Sequence, residues 1–291
     1  MTRRGWLLFI AMGVIWGLPY LLIKVAVSEL SPATLVFIRT ALGALLLVPL
    51  AAARGDLRGL RPYWKPIMAY SLIEVGVPWL MLSDAERRLT SSLTGLLVAA
   101  VPLVSAVLAW RTGSHDRLDG RRTAGLVLGF VGVGALVGLD VQVGDLGAVA
   151  EVAIVTVCYA VGPMIIARQL SALPSVGVVA VSLGLTMLIY APVGLAQLPA
   201  KPPNAAVVAS VVGLAVVCTA LAFVIFFTLI AEVGPTRATV ITYINPAVAL
   251  LLGVVLLHES LTIGAAVGFA LILVGSLFTT RRTRVSRAPA P

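Results

Sequence analysis

The chain has 291 residues, of which 60% are hydrophobic and 11% charged, with a mean hydropathy of +1.06 and a formal net charge of +9. Soluble domains carry roughly 45–50% apolar and 25% charged residues, so this composition leaves no room for a soluble catalytic domain and points to a multi-spanning membrane protein. The positive charge is scattered through short loops and tails beside apolar runs, which favours control of topology over nucleic-acid binding.

A membrane-spanning helix needs about 20 predominantly apolar residues. Ten such stretches are predicted, at 6–27, 33–53, 66–83, 90–111, 122–140, 146–167, 175–197, 206–230, 237–257 and 262–280. The first follows Thr2, Arg3 and Arg4, shows no convincing cleavage pattern and aligns with the sixth, so it reads as a retained helix. It carries Trp16, then Tyr20 one turn later on the same face, then Lys24. The second carries Arg39, and the third carries Glu74 and Trp79. Pro102 breaks the fourth, and Glu151 and Tyr159 lie in the sixth. In the ninth, Tyr243 and Asn245 precede Pro246, and His258 with Glu259 closes it as a turn at the membrane edge, matched by Asp116. Cys158 and Cys218 fall inside apolar segments without CxxC spacing and read as small core residues.

The second half repeats the first at an offset of about 143 residues: Trp16 recurs as Tyr159, Pro49 as Pro192, Asp116 as Glu259, Gly125 as Gly268 and Gly132 as Gly275. Pro102 recurs as Pro246, one residue off. The expected organisation is an all-α integral membrane protein of ten transmembrane helices in two five-helix repeats, 1–142 and 143–284, followed by a disordered tail at 285–291. Loops on the side of the N-terminus hold sixteen Lys and Arg residues, from Arg3 to Arg287, against Arg87, Arg88 and Lys201 opposite. Both chain ends are therefore expected in the cytoplasm. Five helices is an odd number, so the second repeat enters from the opposite face and the repeats are inverted, as in many secondary transporters.

Charges within a bilayer cost roughly 2.5–3.5 kcal/mol each on insertion scales and need partners or a water-filled cavity. Lys24, Arg39 and Glu151 fall within two turns of the expected outer face, and Glu74 lies near the centre of its helix. The outer three read as structural ion pairs with snorkelling side chains, or as a gate in which Arg39 pairs with Glu151 across the repeats. Glu74 has two readings: a carboxyl that couples proton movement to a conformational change, or a neutral acid bonded to a helix carbonyl.

Trp16 and Tyr159, at matching depths, are expected to face each other, either as a platform for a flat or cationic substrate or as interhelical packing. With Tyr20, Glu74, Trp79, Tyr243 and Asn245 they form the candidate substrate cavity. Pro102 and Pro246 remove backbone hydrogen bonds at equivalent depths, tolerated where backbone faces protein or water. Gly125, Gly129 and Gly132, and Gly264, Gly268 and Gly275, give the fifth and tenth helices faces for close packing. No HExxH and no paired intramembrane aspartates occur, so neither a metal, a cofactor nor an intramembrane enzyme is expected.

Trp16, Gly17 and Lys24, Arg39, Pro102 and Pro246, and His258, Glu259, Ser260 and Leu261 before a glycine-bearing last helix together resemble the EamA-type proteins of the drug/metabolite transporter superfamily. The resemblance spans the chain. It departs at Arg111 to Asp116, which replaces a compact Gly-Glu turn, and at Ser182, which stands where the second half would repeat Arg39. It implies export of a small metabolite, an amino acid or a toxic compound, across a bacterial-type cytoplasmic membrane, with a proton or another gradient as the drive. The alternative is a non-transporting membrane subunit or receptor. Substrate identity and oligomeric state are not legible in the sequence.

Overall fold

Several of the long apolar runs start where a short polar side chain accepts a hydrogen bond from one of the first free backbone N–H groups, an N-cap. Thr2 accepts from Gly5, Ser31 from Thr34, Thr90 from Leu93, Asp119 from Arg122 and Asn204 from Val207. The computed structural model describes residues 2–112 and 119–280, and no strand occurs among them. Among the described residues, eight helices are long and apolar enough to cross a membrane: α1 (Arg3–Ala26), α2 (Pro32–Arg54), α3 (Arg61–Arg88), α4 (Ser91–Arg111), α5 (Gly120–Asp140), α6 (Val143–Leu170), α7 (Ser175–Ala196) and α8 (Ala205–Val233). Two shorter apolar helices follow, α9 (Val240–Leu256) and α10 (Ile263–Thr280). Asp116, Arg117, the basic residues from Arg281 onward and the tail at 285–291 lie outside the described residues.

One predicted element is corrected. The third stretch, expected to end at 83, continues as helix to Arg88, so Asp84, Glu86, Arg87 and Arg88 occupy the last turns of α3 and not a loop. Its charged end lowered the local hydropathy, but the backbone stays helical because the neighbouring helices α1 and α6 supply partners for that end.

The helices are interrupted at corresponding places in the two halves of the chain. α3 widens into π turns at Ser71–Gly76, and α8 does so at Gly213–Leu221, at the offset seen in the sequence. α4 turns at Ala99 and Ala100, just before Pro102, and α9 opens as a tight 3₁₀ segment, Thr239–Tyr243, just before Pro246. Both prolines thus sit in the first turn of a restarted helix, where a missing N–H costs nothing. α1 is interrupted at Trp16 and Gly17.

Packing joins helices from opposite halves: α5 with α10, α2 with α7, α3 with α6, α4 with α9, and α1 with α8. Leu45, Leu139, Leu188, Leu251 and Ile263 point outward as large exposed apolar side chains, the surface expected to face lipid. The α5–α10 seam is glycine-lined as the sequence predicts. A Cβ at Gly132 would lie 2.8 Å from the Gly268 carbonyl oxygen, and one at Gly125 would lie 2.7 Å from that of Gly275. Gly134, on the same helix, faces open space. Gly132→Val is therefore expected to destabilise the fold by about 1–3 kcal/mol through overpacking. Gly134→Val should change it by less than about 1 kcal/mol. Thermal unfolding of the purified protein in detergent compares the two.

Candidate functional site

Arg39 sits in the second and third turns of α2 and is 5% exposed, so bulk water does not reach most of its guanidinium. Two contacts replace hydration. Its Nε donates to Thr219 Oγ1 at 3.1 Å, and its guanidinium carbon lies 3.5 Å from the centroid of the Trp79 ring. A planar, weakly hydrated guanidinium suits this combination of fork and stack better than an ammonium would. Thr219 belongs to the π turn of α8 and donates back to the Leu214 carbonyl at 2.8 Å, so the widened helix aims its hydroxyl oxygen at α2. Trp79, 6% exposed, also approaches the hydroxyl of Tyr159 on α6. One cation thus ties α2 and α3 to α8, with α6 alongside.

Glu74 lies in the π turn of α3 and packs its carboxylate onto Gly162 of α6, where even a methyl group would overlap it. Its Oε2 is buried without a hydrogen-bond partner, and Tyr70, Cys158 and Tyr159 lie around it. Glu74 and Arg39 therefore flank Tyr159 from two sides.

The predicted pair between Arg39 and Glu151 is not formed. Glu151 Oε1 accepts instead from Arg88 at 2.7 Å, and Arg88 also reaches Asp84 at 2.9 Å. The physical reason is the extra length of α3, which carries Arg88 to Glu151 while Arg39 faces inward toward Trp79. Lys24 does not join them either. Its Nζ donates to the carbonyls of Glu86 and Leu89 at 2.6 and 2.7 Å.

The aromatic residues expected around one cavity fall into separate groups. Trp16 does not face Tyr159: its ring packs against Phe226 at 4.6 Å and Phe223 at 6.1 Å, both on α8. The interruption at Gly17 also separates it from Tyr20, which is buried in a different cluster with Ile23, Leu82 and Leu214. Tyr243 turns to α10, its hydroxyl 3.4 Å from the Ser276 carbonyl. Asn245, in the amide orientation that satisfies its neighbours, donates to the carbonyls of Gly13 at 3.1 Å and Ile241 at 3.0 Å, tethering the break in α9 to α1. Of the candidate cavity residues, the structure brings together Tyr20, Glu74, Trp79 and Tyr159 with Arg39, and leaves Trp16, Tyr243 and Asn245 to packing and helix tethers.

Two clefts open elsewhere. One of about 420 Å³ lies between the start of α2 and the ends of α3 and α7, lined by Pro32, Met81, Asp84, Arg87, Glu151 and Gln197. The other, about 250 Å³, lies between the ends of α4 and α6 beside Thr112 and Arg168. Among the described residues no group of three His, Cys, Asp or Glu could hold a metal ion.

Glu86, Thr219 and the partner of Glu259 are missed by the sequence reading. Glu86 carried a signal, because it follows Trp79 by seven residues and Leu82 by four and so shares their buried helical face. Glu259 is more than a turn residue: its carboxylate accepts from Ser91 N at 2.8 Å and Ser92 N at 2.9 Å, capping α4 from the other half of the chain. His258 takes a left-handed φ of 56° to direct it there, and Gly253 leaves the space. Nothing in the sequence marks Thr219, which needs the π turn to reach Arg39.

A bundle of membrane-length apolar helices is the architecture of a multi-pass membrane protein. The profile of the EamA-like transporter family matches residues 3–138 and again 147–281. The chain belongs to the EamA-like transporter family, and is a membrane transporter. An uncharacterized transporter of Bacillus subtilis, YvbV, is 24% identical over 293 residues, covering 99% of this chain and 95% of that one. An uncharacterized inner membrane transporter of Escherichia coli, YedA, is 28% identical over 284 residues, covering 91% and 88%. A protein of known crystal structure shares the fold with a TM-score of 0.68 at 20% identity, covering 96% of this chain and 98% of that one.

Arg39→Lys keeps the charge but loses the stack on Trp79 and is expected to cost about 1–2 kcal/mol of stability. Thermal unfolding and tryptophan fluorescence measure it. Exchanging the charges of Arg39 and Glu151 should rescue nothing, because the two do not meet.

Proposed function

We propose that this transporter moves a small amphipathic metabolite, an amino acid or a related or toxic compound, across the cytoplasmic membrane by alternating access, in the direction of export. The observation that carries this reading is the cluster of Arg39, Trp79, Tyr159 and Glu74, which draws on α2, α3 and α6 and is held by Thr219 of α8. A water-poor site with a cation, a carboxylate and two aromatic rings suits a zwitterion, its carboxylate toward Arg39, its ammonium toward Glu74 and its apolar part against the rings.

The two family matches and the corresponding helix interruptions support two inverted five-helix repeats. With ten crossings, both chain ends lie in the cytoplasm, in keeping with the basic loops on that side. Cross-half pairing supports alternating access, because rocking one repeat against the other changes these same contacts. Export follows the resemblance of the sequence, and a proton is the candidate driving ion.

Counterflow in proteoliposomes tests the reading. Labelled zwitterionic aromatic and aliphatic amino acids are expected to exchange in wild type, with Glu74→Gln and Tyr159→Ala lowering the rate about tenfold or more, a loss of about 1.4 kcal/mol. Wild-type protein that moves no solute under any gradient refutes it. Metabolite profiles of medium from overexpressing and deletion cells then identify the natural substrate.

A further inference from the structure

The turn between α3 and α4 is pinned from two sides by residues far away in sequence. Lys24 of α1 donates to the carbonyls of Glu86 and Leu89, among the last of α3, and Glu259 accepts from Ser91 N and Ser92 N, the first of α4. Each charge also has the sign that its helix end favours, a cation at a C-terminus and an anion at an N-terminus. Thr90 accepts from Leu93 N, so the first three N–H groups of α4 are all satisfied.

Beneath this joint lies Glu86. It is 0% exposed, and neither carboxylate oxygen has a hydrogen-bond partner. Buried polar groups without partners are rare, and a buried ionised carboxylate without one is costly. The charged and titratable groups facing it are Tyr20 and Lys24 from α1, Arg39 from α2 and Glu259 from the α9–α10 turn. On its own helix Asp84, Arg87 and Arg88 point to the exposed side, where Arg88 holds Glu151 of α6, and α4 presents its capped N-terminus.

We infer that Glu86 is a proton-operated switch of this transporter and that its charge state opens and closes the α3–α4 joint. Neutral Glu86 leaves Lys24 on the two carbonyls and Glu259 on the two N–H groups, which is the arrangement seen. Ionised Glu86 draws the Lys24 ammonium off the carbonyls and repels the Glu259 carboxylate, so both caps loosen together. The proton moves between the Glu86 carboxyl and water admitted as the joint opens. At the sequence offset of the repeat, the counterpart of Glu86 is Leu229, buried and apolar, so this switch acts at one end of the bundle. That is the end expected to face outward, so a proton taken up from water on that side closes it and loss of the proton to the same side opens it.

This inference rests on the transporter reading, and the test separates the two. Wild type, Glu86→Gln and Glu74→Gln are reconstituted, and counterflow is followed across pH. Infrared difference spectra between acidic and alkaline pH monitor protonated carboxyl bands. E86Q, which mimics the neutral acid, is expected to hold the joint closed, to show counterflow about tenfold slower that no longer rises with pH, and to lack one carboxyl band. If wild type shows no counterflow, the transporter reading falls and this inference with it. If wild type shows counterflow but E86Q keeps its rise with pH or the full carboxyl signal, or if E74Q alone loses that rise, Glu86 is not the switch and the transporter reading stands. Should E86Q show no counterflow at any pH, Glu86→Asp, which retains the carboxyl, must restore pH-dependent counterflow; its failure to do so overturns the proposal.

Discussion

Hydrocarbon cannot solvate a charge or a peptide group, and most of the internal arrangement of this transporter answers that constraint. Helices satisfy most of their own backbone groups, and several exceptions find partners far away in the chain. The C-terminal carbonyls of α3 bind Lys24, the N-terminal amides of α4 bind Glu259, and the break before Pro246 is tethered by Asn245. In water these bonds would each be worth little, since the groups could bind solvent instead. In a bilayer the alternative is an unsatisfied group, so charge placement and helix ends are fixed together.

The same constraint explains where irregular backbone occurs. The π turns of α3 and α8 carry Glu74 and Thr219, polar side chains that each meet a helix of the other half. A π turn inserts one extra residue and rotates the side chains that follow, and such bulges are frequent at functional sites. Here the rotation lets Thr219 reach Arg39 and sets Glu74 onto Gly162. By contrast, the α5–α10 seam is built from regular helices and glycine contacts. It reads as a scaffold against which the other helices can move.

Arg39 illustrates how depth and direction differ. The sequence gives its depth, and from depth alone Glu151 is a reasonable partner. The structure turns Arg39 inward, to a ring and a hydroxyl, and leaves Glu151 to Arg88 at the rim. Glu86 shows the converse error. A charge beyond the end of an apolar run looks like a loop residue, yet helical periodicity carries Glu86 onto the buried face shared by Trp79 and Leu82. Trp16 and Tyr20 look like one face until the interruption at Gly17 divides them.

The sequence alone determined the membrane setting, the helical class, the approximate limits of the apolar helices, the glycine seam and the family, because these depend on composition, segment length and residues close together in the chain. Which charge meets which, which aromatic faces the centre, and which helix ends are capped from afar were decided only in the folded molecule. Many of those contacts join residues far apart in the chain, 62 positions for Lys24 with Glu86 and 180 for Arg39 with Thr219. They depend on helix rotation, and a single π turn changes that rotation without leaving a recognisable mark in the amino-acid pattern.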